Sequence, residues 1–235
     1  MQVELLYYTP EPERAIASAA RLCYAPVGAS ELMETMSDDE VKKILSIVIK
    51  GRHLSTLEHA SYTFAVDGVS RALTHQLVRH RLASFNQQSQ RYVKFDDGFD
   101  YVEPPSIASN AQAHEIFINC MKQCSEAYSK LREIADPNIA DNFLIPKEDA
   151  RFVLPNAAET KIVVTMNVRE LYHFFELRCC RRAQWEIREL ALKMLELVTP
   201  TAPYIFLDAG APCVHDVCHE GKMTCGNPYK KVKRD

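Results

Sequence analysis

An α+β fold is predicted for this 235-residue chain from three observations. Segments with strand and helix signatures are intermixed, without the regular βαβ alternation of a doubly wound sheet. Only 7 glycines occur, under half the usual ~7%, and none stands in G-x-G, so neither a Rossmann fingerprint nor a P-loop is present. The chain is 47% apolar and 25% charged. That composition buries a core and does not suit a disordered or fibrous protein. No linker divides the sequence, which predicts one domain over 1–208 and a Cys/His-containing tail over 209–235.

Residues 2–8 (QVELLYY) alternate loosely and predict a strand. Pro12 opens a helix through Cys23, because proline is tolerated in a first turn. Ser37-Asp38-Asp39-Glu40 is a capping box. The Ser37 hydroxyl can accept an orphan N–H while Glu40 reaches back, starting a helix to about Lys50. Residues 61–67 (SYTFAVD) predict a strand, Ser70 caps a helix to about Ala83, and a polar segment extends to Tyr92. Pro104-Pro105 marks a loop. A helix over about 109–134 carries Ile116, Cys120, Cys124 and Leu131 down one face until Asp136-Pro137 stops it. Residues 161–167 (KIVVTMN) form the clearest strand, and helices over about 169–182 and 184–198 follow.

Lys+Arg 28 against Asp+Glu 31 gives a net charge of −3, so no whole-molecule attraction to nucleic acid or anionic lipid is expected. Apolar runs such as Ile47-Val48-Ile49 fall far short of the ~18 residues of a membrane span. The start, MQVELLYYTP, lacks the layout of a signal peptide, and a soluble, cytoplasmic protein is expected. The 8 scattered cysteines are then expected as reduced thiols. In the tail, Cys213-x-His215-x-x-Cys218-His219-x5-Cys225 has enough soft ligands for one zinc but no C-x2-C pair, so no metal is expected there.

Without a glycine cradle, any phosphate must be held by arginine. Residues 68–95 hold Arg71, Arg79, Arg81, Arg91 and Lys94 with His75 and His80, and no Asp or Glu. The planar fork of arginine suits phosphate and imide groups. Asn86, Gln87, Gln88, Ser89 and Gln90 are interleaved and can read ligand edges. At 100° per residue, Leu73, Leu77 and His80 lie within about 60°, which puts His80 on the core side, with Gln76 and Arg79 beside it. Arg79 and Arg81 diverge by about 160–200° on an intact helix. Either the helix ends near Arg81, or the two arginines serve different ligands or subunits.

Asn167-Val-Arg169-Glu-Leu-Tyr-His173-Phe-Phe-Glu-Leu-Arg178 forms a second constellation. As a helix it places Leu171, Phe174, Phe175 and Arg178 within about 100°, and Arg169, His173 and Glu176 on another face. An arginine on an aromatic stripe either snorkels from the helix end or stands beside a ligand anion. His53-Leu-Ser55-Thr-Leu-Glu58-His59 is a third. Its histidines are six apart where a helical zinc pair needs four, so no metal is expected.

RHR at 79–81, then seven residues, then Ser89, within RHRLASFNQQSQRY, resembles the signature of the flavin-dependent thymidylate synthases. His53-x-Ser55-x-x-Glu58-His59, Ala150-Arg151-x-x-Leu154-Pro155, and Asn167-x-Arg169 with His173 and Leu177-Arg178 fall in that family's order and spacing. The resemblance covers about residues 1–205. It implies an α+β homotetramer, its central, mostly antiparallel sheet flanked by long helices and its active sites shared between subunits. It further implies a methyltransferase that binds FAD, dUMP, methylenetetrahydrofolate and NADPH and releases dTMP and tetrahydrofolate. By position, dUMP contacts fall on Gln76, Arg79, Gln87, Gln88, Ser89, Gln90, Arg91, Arg151 and Arg178. Flavin contacts fall on His53, Ser55, Arg79, His80, Arg81, Gln87, Asn167, Arg169 and His173. Arg178 matches the residue that polarises the uracil imide. Gln87 stands where Glu is common in the family, and His173 where some members carry Asn.

No convincing covalent nucleophile is visible. Cys179-Cys180 is the best rival, since Arg178, Arg181 and Arg182 would lower a thiol pKa. Adjacent helical cysteines point about 100° apart, however, which favours a structural role. Ser89 has no Ser-His-Asp partners in view. Catalysis is therefore expected to rest on Arg178 stabilising charge on the uracil, with the flavin carrying the redox chemistry. Two other functions fit parts of the pattern. One is a single-strand nucleic-acid patch stacking bases on Phe85 and Tyr92; the other is a flavoprotein reductase without methyl transfer.

Overall fold

The fold is that of a computed structural model, which describes residues 1–95, 98–136, 144–214 and 217–229. Local signals set the first elements. β1 (Gln2–Tyr8) leads to α1 (Pro12–Leu22), with proline in the first turn. α2 (Ala29–Thr35) precedes α3 (Asp38–Lys50). Both halves of the α3 capping box form: Ser37 Oγ accepts from the Glu40 N–H, and the Glu40 carboxylate accepts from the Ser37 N–H. Val41, Leu45 and Val48 recur at helical spacing and are buried. A 3-10 turn, Leu54–His59, leads into β2 (Ser61–Ser70) and α4 (Arg71–Leu77). After β3 (Ala83–Gln87) come α5 (Pro105–Ala108), the long α6 (Ala111–Glu133) and α7 (Lys147–Ala150). The chain continues with β4 (Glu159–Asn167), α8 (Val168–Arg178), α9 (Trp185–Val198) and α10 (Pro203–Phe206).

The strands form one antiparallel sheet in the order β1-β2-β4-β3, so the fold is α+β as expected. Its register shows at both ends of the β2–β4 pair. The Val168 N–H donates to Ala60 O (2.9 Å) and the Arg71 N–H to Ala158 O (3.0 Å), so the strands run in opposite directions. Tyr62, Phe64 and Val66 alternate inward along β2, as do Thr160, Ile162, Val164 and Met166 along β4.

The chain forms two compact units, Met1–Val66 with Leu77–Phe85 and Val163–Asp235, and Asp67–Gln76 with Asn86–Ile162. In the first, Phe206 meets Tyr62 and Phe175 edge-on, at 5.7 and 6.2 Å between ring centroids. The Tyr62 hydroxyl bonds to Thr201 Oγ1 at 3.0 Å, and burial pushes this phenol up to about 12. In the second, Phe95 meets Tyr128 at 6.0 Å and Tyr101 meets Phe117 at 5.7 Å. No helix among the described residues is long and apolar enough to cross a membrane.

Two sequence expectations fail. The helix from Ser70 is capped as predicted, Ser70 Oγ accepting from the Leu73 N–H, but it ends at Leu77 rather than Ala83. Residues 83–87 join the sheet as β3, and the Gln88 N–H bonds to Lys161 O; pairing with a distant strand overrides local pattern. On α6 the buried residues are Met121 and Tyr128, whereas Ile116 is 65% exposed and Cys120 is exposed. One aromatic ring buries more area than a stripe of small thiols, and Tyr128 turns the helix to meet Phe95.

Candidate active site

Asn167 ends β4 and caps α8, its Oδ1 accepting from the Glu170 N–H at 2.9 Å. From there Glu170, Phe174 and Arg178 recur every fourth residue and form one ridge of the helix. Val168, Leu171, Phe174 and Phe175 are fully buried, which fixes the helix's rotation.

His80, 4% exposed in the loop after α4, lies against that ridge. Its Nδ1 is 3.0 Å from Glu170 Oε1, and Arg178 Nε–H donates to its Nε2 at 3.1 Å. Phe174 packs edge-on to the imidazole with centroids 5.0 Å apart. An arginine nitrogen only donates, so Nε2 is the acceptor, and the proton of the neutral ring sits on Nδ1 facing the carboxylate. Burial lowers the His80 pKa; Arg178 and His173 push the same way and the Glu170 hydrogen bond opposes them. The ring is therefore neutral at pH 7. Burial also lowers the Arg178 pKa, from a value high enough that the guanidinium stays charged.

Apart from Gln87, the other residues expected at the flavin lie in the same unit. Arg79 and Arg81 are exposed on either side of buried His80. Since α4 ends before either of them, the divergence computed for an intact helix does not arise. Arg169 pairs with Glu58, the two side chains 45% and 44% exposed. Such a pair contributes at most about 1 kcal/mol and yields readily to a ligand anion. His53 and Ser55 are exposed on the 3-10 turn. A Cβ on Gly51 would stand 2.7 Å from His53 Nε2, so a larger residue there would displace the imidazole. His173 is exposed, its ring 5.6 Å from that of His80. Potential ligand atoms of His80, Glu170 and His173 lie within 4.8 Å of one another. Both His80 nitrogens are engaged, one by a guanidinium that would repel a metal ion, so the trio is better suited to hydrogen bonding than to coordination.

Residues expected at the nucleotide lie mostly in the second unit. The Gln87 side-chain amide donates to Thr74 Oγ1 (3.0 Å) and Thr160 Oγ1 (3.3 Å), which a glutamate could not do. Gln76 is half-buried in the last turn of α4, and Gln88 and Gln90 are half-buried beyond β3. Ser89 Oγ accepts from the Arg91 N–H at 3.2 Å, closing a tight turn that projects the Arg91 guanidinium over the Tyr92 ring at 5.4 Å. Arg151 at the end of α7 donates to Glu148 O at 3.1 Å. A cavity of about 460 Å³ is lined by Arg91, Tyr92, Arg132, Leu144, Pro146, Lys147 and Glu148. Of the expected substrate contacts only Arg91 lines it.

Cys179 is 2% exposed, and burial pushes its thiol up to about 12, with Cys180 acting in the same direction. It is not a thiolate at neutral pH. Replacing Cys179 and Cys180 together by alanine is expected to leave turnover unchanged, measured with a thermal melt to confirm folding. A collapse of activity in a folded variant would reinstate the thiol.

The tail packs on the end of α8. Tyr229 donates its hydroxyl proton to Cys179 O (3.0 Å) and lies under the Arg181 guanidinium, while Arg182 pairs with Glu220 (3.6 Å). Cys218 and Cys225 are exposed. His215 and the basic end 230–235 lie outside the described residues, and with His215 one member of the zinc constellation.

Sequence reasoning missed Glu170 and the pairing of Glu58 with Arg169. The signal for Glu170 was present, since it stands eight residues before Arg178 and so shares its ridge.

Residues 4–204 match the family described as thymidylate synthase complementing protein. The flavin-dependent thymidylate synthase of Geobacter sulfurreducens is 54% identical over 235 residues, covering 100% of this chain and 97% of that one. The protein of the same description from Clostridium tetani is 49% identical over 240 residues, covering 99% and 96%. Among solved structures, the flavin-dependent thymidylate synthase ThyX of Helicobacter pylori, complexed with FAD and dUMP, aligns with a TM-score of 0.67. It shares 25% identity, over 89% of this chain and 100% of that one. The UMP/dUMP methylase PolB of Streptomyces cacaoi, bound with 5-Br dUMP, aligns at 0.70 with 24% identity over 88% and 93%, a likeness of fold alone. With a family match across most of the sequence and relatives near half identity along all of it, the chain belongs to the flavin-dependent thymidylate synthases.

Proposed function

We propose that this chain is a methyltransferase that converts dUMP to dTMP with FAD as cofactor, methylenetetrahydrofolate as carbon donor and NADPH as reductant. The observation that carries the reading is Arg178. It is a charged guanidinium on an aromatic ridge, held in one orientation by a buried neutral imidazole, in a chain of this family. The residues fit a dinucleotide cofactor without a glycine cradle. Arg79, Arg81 and Arg169 offer exposed cations on the unit that also holds His53, Ser55 and His173. Bound FAD supplies the electron transfer that uracil methylation requires. In net terms the uracil C5–H bond is replaced by C5–CH3, the carbon coming from the folate and the additional electron pair from NADPH.

The chain's own part is binding and charge stabilisation. Ser89, Arg91 and Arg151 suit the nucleotide phosphate as hydroxyl and guanidinium donors. Arg178, its Nε–H engaged by His80, is left its terminal amino groups to donate to the uracil carbonyl as negative charge develops there. A homotetramer with active sites shared between subunits is part of the reading. A cytoplasmic location, with no nucleic-acid or membrane partner, completes it.

The absorbance spectrum of the purified protein, before and after dUMP, tests the reading. Flavin bands perturbed by dUMP are expected, with folate-dependent tritium release from C5-labelled dUMP. A colourless protein whose affinity for single strands falls steeply with salt would favour the nucleic-acid function. NADPH oxidation without tritium release would favour a plain reductase.

A further inference from the structure

We propose that Glu170 is a positioning residue that acts through His80 to hold the Arg178 guanidinium in the plane from which it meets the pyrimidine. The proposal rests on the functional reading above. Three groups from two segments form a chain: carboxylate, imidazole, guanidinium, with links of 3.0 and 3.1 Å. Only one arrangement of protons completes it. The carboxylate is ionised and accepts from Nδ1–H, which leaves the Nε2 lone pair to accept from Arg178 Nε–H. In the other tautomer Nε2–H would face Nε–H and the Nδ1 lone pair would face the carboxylate, so both links would be lost. Glu170 is the group that selects between them.

Burial protects both links of the chain. Glu170 and His80 are each 4% exposed, so water does not readily replace either link. Phe174 walls the imidazole, and the Asn167 cap anchors the Glu170 backbone. The charged or titratable groups facing His80 are Glu170, Arg178 and His173. Protonating His80 would set a second cation against Arg178 and remove the acceptor. The holding device therefore works with His80 neutral, and a fall in pH releases the guanidinium.

Steady-state kinetics of the holoenzyme across pH, for parent, Glu170→Gln and Glu170→Asp, test the proposal. In the parent, kcat/KM for dUMP should show an acid limb below the ordinary imidazole range. Glutamine fits the space but does not enforce the tautomer, and its plateau should fall about 10–100-fold, the loss typical of removing a partner that orients a metal-ligating imidazole. Its acid limb should move to lower pH, because the hydrogen bond that raises the His80 pKa is gone. Aspartate restores the carboxylate with shorter reach and should recover part of the plateau. In an Arg178→Lys background, Glu170→Gln should add little, since both act through one group. A plateau and limb unmoved in folded Glu170→Gln, or full additivity with Arg178→Lys, would overturn the proposal. So would a parent profile without the acid limb, which also decides the matter if neither variant folds. A parent that binds no flavin and turns over no dUMP would instead refute the functional reading, which separates the two failures.

Discussion

Arg178→Lys is expected to lower turnover on dUMP about 10²–10³-fold, about 3–4 kcal/mol of barrier, while leaving the protein folded. Lysine keeps the positive charge, so a purely electrostatic role at the helix end would survive the change. The helix itself is not threatened, because a cation in the last turn of α8 still complements its carbonyl end. What lysine lacks is the planar fork. One ammonium cannot donate to His80 Nε2 along a fixed axis and present two further donors in the same plane to a ligand. The deficit should therefore appear mainly in kcat, with a smaller change in the dUMP dissociation constant. Single-turnover rates on the flavin-loaded enzyme, with a thermal melt as control, separate the two. Near-parental turnover in Arg178→Lys would remove the guanidinium from the chemistry.

Arg178 was legible in the sequence because face arithmetic on a local helix needs no tertiary information. A cation landing between Leu171, Phe174 and Phe175 is anomalous wherever that helix packs. The same holds for the α3 capping box, the proline in the first turn of α1 and the alternation in β4, which are all written within a few residues. Other features depended on distant segments. β3 exists because residues 83–87 pair in the sheet, whereas their own pattern reads as polar loop. On α6, Ile116 and Cys120 have the spacing of one face, but Tyr128 has the partner. Glu170, three residues after a capping asparagine, already has a local explanation in the sequence. Its carboxylate instead goes to His80, 90 residues away in the chain. The vicinal cysteines show the converse: the surrounding arginines are visible in the sequence, the burial that raises the Cys179 pKa is not.

Phe174→Ala is expected to reduce folding stability by about 3–5 kcal/mol, the usual range for deleting a buried phenyl ring. Phe174 is fully buried, 5.9 Å from Phe175 between ring centroids and 5.0 Å from His80. Removing the ring leaves a void beside His80, the imidazole whose orientation holds Arg178. Water entering the void could pair with either imidazole nitrogen, so the tautomer and the Arg178 bond should loosen together. Phe174→Leu separates packing from positioning. It refills most of the volume and forfeits the edge-on contact, worth about 0.5–1.5 kcal/mol. Equilibrium denaturation with parallel kinetics should then show alanine losing both stability and turnover. Leucine should keep most of the stability while its turnover falls by more than the stability change accounts for. If turnover follows stability one for one across both variants, the phenyl ring is only filler, and His80 is held by its hydrogen bonds alone.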